Sequence, residues 1–194
     1  IGNVMTVPNI LSIFRIILTP FFILCLFSDF NNSHIIALII FVVASVTDAF
    51  DGFYARKYDA VTEYGKFLDP LADKILVLSA FISFTIMDLI EFWMVGLIIS
   101  RDVFITLLRM KMKRNNRTLM TSTIAKSKTT AQLILIVLIL SFLSIKNLNG
   151  FFINDILTSI HKYNLVYNLT FLVTLFTLYT GYKYVQDNYD IIKK

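Results

Sequence analysis

Four aspartates lie where water is scarce. Asp48 and Asp51 sit within the apolar stretch 35–53, and Asp69 and Asp73 within 67–87. If both stretches cross a bilayer as helices, each Asp near mid-membrane costs roughly 2.5–3.5 kcal/mol, and four cost on the order of 10 kcal/mol. Such residues mark function. Asp48 and Asp51 are i,i+3, and Asp69 and Asp73 are i,i+4, so each pair shares one helix face. A short connection makes the two helices antiparallel neighbours, and the pairs can meet near one membrane face. Converging carboxylates repel and stay partly protonated unless a cation holds them. Oxygen donors favour Mg²⁺ or Mn²⁺ over zinc. Two such ions, about 3.5–4 Å apart, suit phosphoryl chemistry. The competing explanation is helix-end pairing with Arg56, Lys57, Lys66 and Lys74. Two pairs on adjacent helices make it the weaker one.

Neighbouring residues fit the same chemistry. Gly52 leaves no side chain beside Asp51, so a ligand or another backbone can approach closely. Ala55 is small and lies on the side of the two carboxylates. Arg56 offers a planar fork for phosphate oxygens. Helix–helix packing alone would also explain the small residues. A second polar group lies further along, where Arg101 and Arg109 interrupt the stretch 92–110. An arginine in such surroundings needs a partner.

The elements that must position these residues are membrane helices. The 194 residues are 57% hydrophobic and 16% charged, against about 25% charged in ordinary soluble domains. Mean hydropathy is +0.72. These values exclude a disordered chain and disfavour an all-α soluble core. One cysteine, Cys25, excludes an internal disulfide, and two histidines, His34 and His161, leave any metal site mainly to carboxylates. All three are read as packing or interface residues.

Six stretches are long and apolar enough to span a bilayer: 10–27, 35–53, 67–87, 92–110, 129–145 and 165–185. The expected fold is an all-α integral membrane protein of six transmembrane helices, one domain over 1–194, with a cytoplasm-facing polar cavity. Met5 is read as the native start and residues 1–4 as a remnant, and no signal peptide precedes the first span. A loop with a short interfacial helix is expected over 151–161. Lys and Arg set the orientation. The short connections 28–33 and 88–91 carry none, whereas Arg109, Lys111, Lys113, Arg114, Arg117, Lys126 and Lys128 follow the fourth span. The positive-inside rule places that loop, residues 56–66 and both termini in the cytoplasm. Lys111, Lys113, Arg114 and Arg117 are assigned to topology alone, and Trp93 to an interfacial belt. Nothing points to nucleic acid.

Asp48-Ala-Phe-Asp51-Gly52-Phe-Tyr-Ala55-Arg56, eight further residues, then Gly65-Lys-Phe-Leu-Asp69-Pro-Leu-Ala-Asp73 resembles the signature of the CDP-alcohol phosphatidyltransferase family. Every signature position matches. The resemblance implies an integral membrane enzyme, usually a homodimer, that moves a phosphatidyl group from a CDP-linked lipid to an alcohol and releases CMP. It implies that Asp48, Asp51, Asp69 and Asp73 hold two metal ions, with Asp73 also the general base. By the same resemblance Gly52 and Arg56 contact the CDP part. Pro8-Asn9 resembles a nucleotide-cradling stretch, and Thr62 occupies a further nucleotide-contact position. Arg15 is a candidate phosphate partner, or else a partner of a carboxylate.

The acceptor is sought elsewhere. Ser100-Arg101-Asp102, Arg109 and the run Ala125-Lys126-Ser127-Lys128-Thr129-Thr130-Ala131-Gln132 resemble the phosphatidylglycerophosphate-forming branch of that family, whose acceptor is sn-glycerol 3-phosphate. Asp102 stands where Glu is frequent in that branch. The resemblance implies that Arg101, Arg109, Lys126 and Lys128 bind the acceptor phosphate, with Arg109 and Lys128 facing the cavity that Asp73 borders. Arg101 has a second assignment, to hold Asp102 or shape the cavity floor. The expected partners are CDP-diacylglycerol, sn-glycerol 3-phosphate and membrane lipids. Phosphatidylglycerol, inositol phosphate and serine remain alternative acceptors. A divalent-cation transporter would also use intramembrane Asp pairs, but it would leave Gly52, Arg56 and the spacing to Gly65 unexplained.

Overall fold

The computed structural model describes residues 7–58, 63–115, 119, 123–146, 158, 160 and 163–193, with the side chains of 7–9, 48–71, 73, 113 and 123–126 outside that description. Among the described residues the secondary structure is helical throughout, without strands. The long helices are α1 (Val7–Leu26), α2 (Ser33–Tyr58), α3 (Glu63–Ile86), α4 (Phe92–Arg114), α5 (Thr123–Lys146) and α6 (Leu165–Asp187); a short α7 (Tyr189–Lys193) follows. Each long helix covers one of the six apolar stretches. Ser127–Lys146 and Leu165–Asp187 are long and apolar enough to cross a membrane, and Ile10–Leu26, Ser33–Thr47 and Lys74–Ile86 are shorter apolar helices. Most of the helix expected at 151–161 lies outside the described residues.

The turns follow from local chemistry. Asn32, Asp88 and Asn164 adopt positive φ (66°, 56° and 45°), a conformation that Asn and Asp tolerate better than most residues. At the end of α3, Asp88 N–H donates to the Thr85 carbonyl at 3.0 Å and Leu89 N–H to the Phe84 carbonyl at 2.9 Å. This is the paired bonding of a left-handed helix terminus, and it turns the chain into α4 within five residues.

The chain divides into two compact units, one formed by Ile1–Ser83 with Ile136–Ser159 and the other by Phe84–Leu135 with Ile160–Lys194. In the first, α1 packs along α2. Phe22 and Phe41 meet with ring centroids 5.7 Å apart. Helix α1 buries Ser12, Arg15 and Thr19 beside Phe22 and Leu26, at spacings of three or four, and exposes Ile10, Ile13, Phe14, Ile17, Phe21 and Leu24. In the second unit, α4 packs along α6. Helix α6 buries Thr170, Thr174, Thr177, Thr180, Gly181 and Tyr184, and exposes Phe171, Leu172 and Leu175. Both helices invert the soluble pattern, hiding small and polar residues and presenting large apolar ones. In lipid, close packing and hydrogen bonding hold helices together while outward apolar side chains carry no cost. This inversion, with the apolar helices, marks a membrane-associated protein.

Candidate functional site

The expected metal and nucleotide residues fall on helices. Asp48, Asp51, Gly52 and Arg56 lie in the C-terminal half of α2, and Asp69 and Asp73 in the N-terminal half of α3. The helical backbone realises the i,i+3 and i,i+4 spacing that lets each carboxylate pair share a face. Pro8 and Asn9 lie in the first turn of α1, and Lys126 in the first turn of α5. The side chains of all these residues, and Thr62 entirely, lie outside the described residues. Among the described residues no group of His, Cys, Asp and Glu is arranged to hold a metal ion. Arg15 is 1% exposed, and its Nε donates to the Ala44 carbonyl at 3.2 Å. Ala44 is one helical turn before Asp48 on α2, so α1 delivers a guanidinium to the turn preceding the first carboxylate.

The second unit carries a described polar site on α4, α5 and α6. Asp102 is its anionic centre. Arg101 Nη1 donates to Asp102 Oδ1 at 3.1 Å, and Lys128 Nζ from α5 donates to Asp102 Oδ2. The side chains are 10% exposed for Arg101 and Lys128 and 15% for Asp102. Little water reaches the pairs, so each charge depends on its partner. Arg101 Nη2 also donates to Thr180 Oγ1 on α6 at 3.3 Å, and that hydroxyl donates on to the Thr177 carbonyl at 2.8 Å. Arg101 therefore serves its alternative expectation and holds Asp102.

Gly181 makes this approach possible. A Cβ there would lie 2.9 Å from Arg101 Cγ and 3.0 Å from Arg101 Nε. Any larger residue would push the arginine stem off α6. Three buried atoms, Arg101 Nε, Gln132 Nε2 and Thr177 Oγ1, have no hydrogen-bond partner among the described residues. Gln132 lies one turn beyond Lys128 on α5, and Thr177 one turn before Gly181 on α6. Buried polar groups of this kind are ordinarily met by water or ligand.

Arg109 lies eight residues beyond Arg101 on α4, about 12 Å along the axis. Its Nε donates to the Tyr184 hydroxyl at 2.9 Å, and its Cζ lies 4.9 Å from the Tyr184 ring centroid. Three contacts run in the same order along both helices. Trp93 meets Phe171 edge-on with centroids 6.1 Å apart, Arg101 meets Thr180, and Arg109 meets Tyr184. Helices α4 and α6 are thus parallel. Arg101 and Lys128 share one carboxylate, and Arg109 adds a further positive charge two turns along α4, so the site is cationic and suited to an anion.

Sequence reasoning placed Arg101, Asp102, Arg109, Lys128 and Gln132 in the stretches that build this site but missed Thr180, Gly181 and Tyr184. A signal was present. Thr170, Thr174, Thr177, Gly181 and Tyr184 recur at three- and four-residue spacing within the last apolar stretch. A small and polar stripe in a membrane helix is a packing face.

The profile of the CDP-alcohol phosphatidyltransferase family matches residues 5–178. The chain is 33% identical over 198 residues to the CDP-diacylglycerol–glycerol-3-phosphate 3-phosphatidyltransferase of Bacillus subtilis (strain 168), covering 96% of each chain. It is 41% identical over 134 residues to the protein of the same name from Escherichia coli (strain K12), covering 66% of this chain and 72% of that one.

Proposed function

The chain belongs to the CDP-alcohol phosphatidyltransferase family, and from that membership we propose that it transfers the phosphatidyl group of CDP-diacylglycerol to sn-glycerol 3-phosphate. The products are phosphatidylglycerophosphate and CMP, an early product of phospholipid biosynthesis and its leaving group. The observation that carries the acceptor is the similarity to glycerol-3-phosphate phosphatidyltransferases over nearly the whole length of the chain. The cationic site on α4, α5 and α6 supports it, because a phosphate-bearing acceptor needs fixed positive charge.

In the reaction the acceptor hydroxyl attacks the phosphorus of the phosphatidyl group. The bond from that phosphorus to the CMP oxygen breaks, and CMP leaves with the electron pair. Asp73 takes the hydroxyl proton, a role worth typically 10²–10⁴-fold. Gly52 admits the CDP part close to the α2 backbone, and Arg56 pairs with its phosphates, with Pro8, Asn9 and Thr62 as further nucleotide contacts. Arg109, with Lys126 and Lys128, holds the acceptor phosphate, while Arg101 holds Asp102.

Four carboxylates at helical spacing on α2 and α3 are a donor set of hard oxygens, which fits Mg²⁺ or Mn²⁺. Asp48, Asp51, Asp69 and Asp73 would hold two ions. An ion held there would supply positive charge to neutralise the pyrophosphate and the leaving CMP. We further propose a single domain of six membrane crossings with a cytoplasmic active site and a homodimeric state. The positive-inside pattern and the parallel course of α4 and α6 support the topology.

The test is CMP release from CDP-diacylglycerol by purified protein offered glycerol 3-phosphate, inositol phosphate, serine or phosphatidylglycerol separately. Release with glycerol 3-phosphate is expected. Release only with another acceptor overturns the acceptor assignment and leaves the family intact.

A further inference from the structure

The two arginines of α4 are held by different chemistry. Arg101 is bound to a carboxylate, which neutralises it. Arg109 is bound to a phenol. The Tyr184 hydroxyl accepts from Arg109 Nε at 2.9 Å, and the ring lies 4.9 Å from the guanidinium carbon. A phenol fixes an arginine without cancelling its charge. Among the described residues only Tyr184 engages Arg109, through Nε and the ring, and none of them takes its two Nη nitrogens. Arg109 is exposed, whereas Tyr184 is 1% exposed and rigidly placed. The Tyr184 carbonyl, in the last turn of α6 where no backbone donor remains, accepts from Asn188 Nδ2 at 2.8 Å. Asn188 N–H closes the same turn on the Val185 carbonyl at 3.3 Å.

We infer that Tyr184 is a positioning residue for the acceptor, holding the Arg109 fork so that its Nη edge meets a phosphate oxygen pair. This rests on the proposed phosphate-bearing acceptor. With Nε occupied, the side-on approach through Nε and one Nη is closed, and the end-on approach through both Nη nitrogens is left. The rotamer entropy of a long arginine is then lost before binding rather than during it. Tyr184 makes no covalent step, and its effect lies in acceptor affinity.

Tyr184→Phe removes one hydroxyl and keeps the ring. The hydrogen bond lost is one from a guanidinium, of which only the part that orients Arg109 reaches the acceptor, and this converts to about a 3- to 10-fold change in affinity. In the full-length enzyme in lipid-detergent micelles, the apparent KM for glycerol 3-phosphate is expected to rise by that factor. The KM for CDP-diacylglycerol and kcat are expected to stay within about 2-fold, since a hydroxyl lost beside Arg109 is absent from the nucleotide contacts. Tyr184→Leu removes ring and hydroxyl and raises the acceptor KM further. In an Arg109→Lys background, which has no Nε, Tyr184→Phe is expected to add no further loss. A structural role would lower kcat and raise both KM values together, and that result overturns the inference. An unchanged acceptor KM in Tyr184→Phe, with wild type active on glycerol 3-phosphate, overturns it and leaves the acceptor assignment standing. If wild type uses a different phosphorylated acceptor, the acceptor assignment falls, and the same KM split measured with that acceptor decides Tyr184. If wild type uses only an acceptor without phosphate, both fall.

Discussion

Asp102→Asn is the sharpest perturbation of the described site. Asp102 accepts from Arg101 on its own helix and from Lys128 on α5, and all three side chains are at least 85% buried. Asparagine keeps the shape and one acceptor oxygen but removes the negative charge. Arg101 and Lys128 then face each other as like charges without their shared anion. Removing one partner of a buried pair costs about 3–5 kcal/mol. The amide oxygen still accepts one hydrogen bond, so the lower end is expected, about 3 kcal/mol. Lys128→Met should cost less, because Asp102 keeps Arg101. The double variant should be more stable than the summed single effects by about 0.5–3 kcal/mol, because removing Lys128 relieves the repulsion that Asp102→Asn creates. Unfolding in mixed micelles, followed by tryptophan emission, measures this. Trp93 is the single tryptophan and packs against Phe171, so its emission reports separation of α4 from α6. A loss below about 1 kcal/mol for Asp102→Asn, or additivity within about 0.5 kcal/mol, would show that the pairs do not couple α4 to α5.

Further outcomes concern the metal, the base and the close helix contact. Metal-stripped enzyme in excess chelator should be inactive, and Asp48→Asn should weaken Mn²⁺ binding as well as turnover; full turnover in chelator refutes the carboxylate metal site. Asp73→Asn should lose about 10²-fold or more of kcat while CDP-diacylglycerol binding survives, since an amide cannot accept the hydroxyl proton; near-normal turnover in the folded variant removes Asp73 as base. Gly181→Ala gains about 0.8–1.0 kcal/mol of helix propensity. The new Cβ, 2.9 Å from Arg101 Cγ, imposes an overpacking cost of about 1–3 kcal/mol, so a net loss of up to about 2 kcal/mol is expected. A Gly181→Ala protein more stable than wild type contradicts the close approach of α6 to Arg101.

What the amino-acid order determined by itself is local. Apolar runs with few charges located the six long helices among the described residues, because burial in an apolar phase depends on composition along one stretch. The 3.6-residue repeat put Asp48 with Asp51, and Asp69 with Asp73, on common faces, since helix geometry links residues three or four apart. Those two helices also carry the family signature, which made the chemistry legible before any fold was known. The α4–α6 site was legible only in part. Arg101 and Arg109 stood out as charges in an apolar helix, and Asp102 beside Arg101 was legible as its partner, but Thr180 and Tyr184 were not. Asp102 and Lys128 are 26 positions apart, and Arg109 and Tyr184 are 75 apart. No periodicity connects such pairs. Only tertiary packing decided that Asp102 also takes Lys128 from α5 while Arg109 meets a phenol on α6. It also decided that Gly181, unremarkable in the chain, must lack a side chain. Distances between helices are set by which side chains interlock when apolar faces turn toward lipid and polar ones turn inward, and that choice is made by the whole assembly of helices at once.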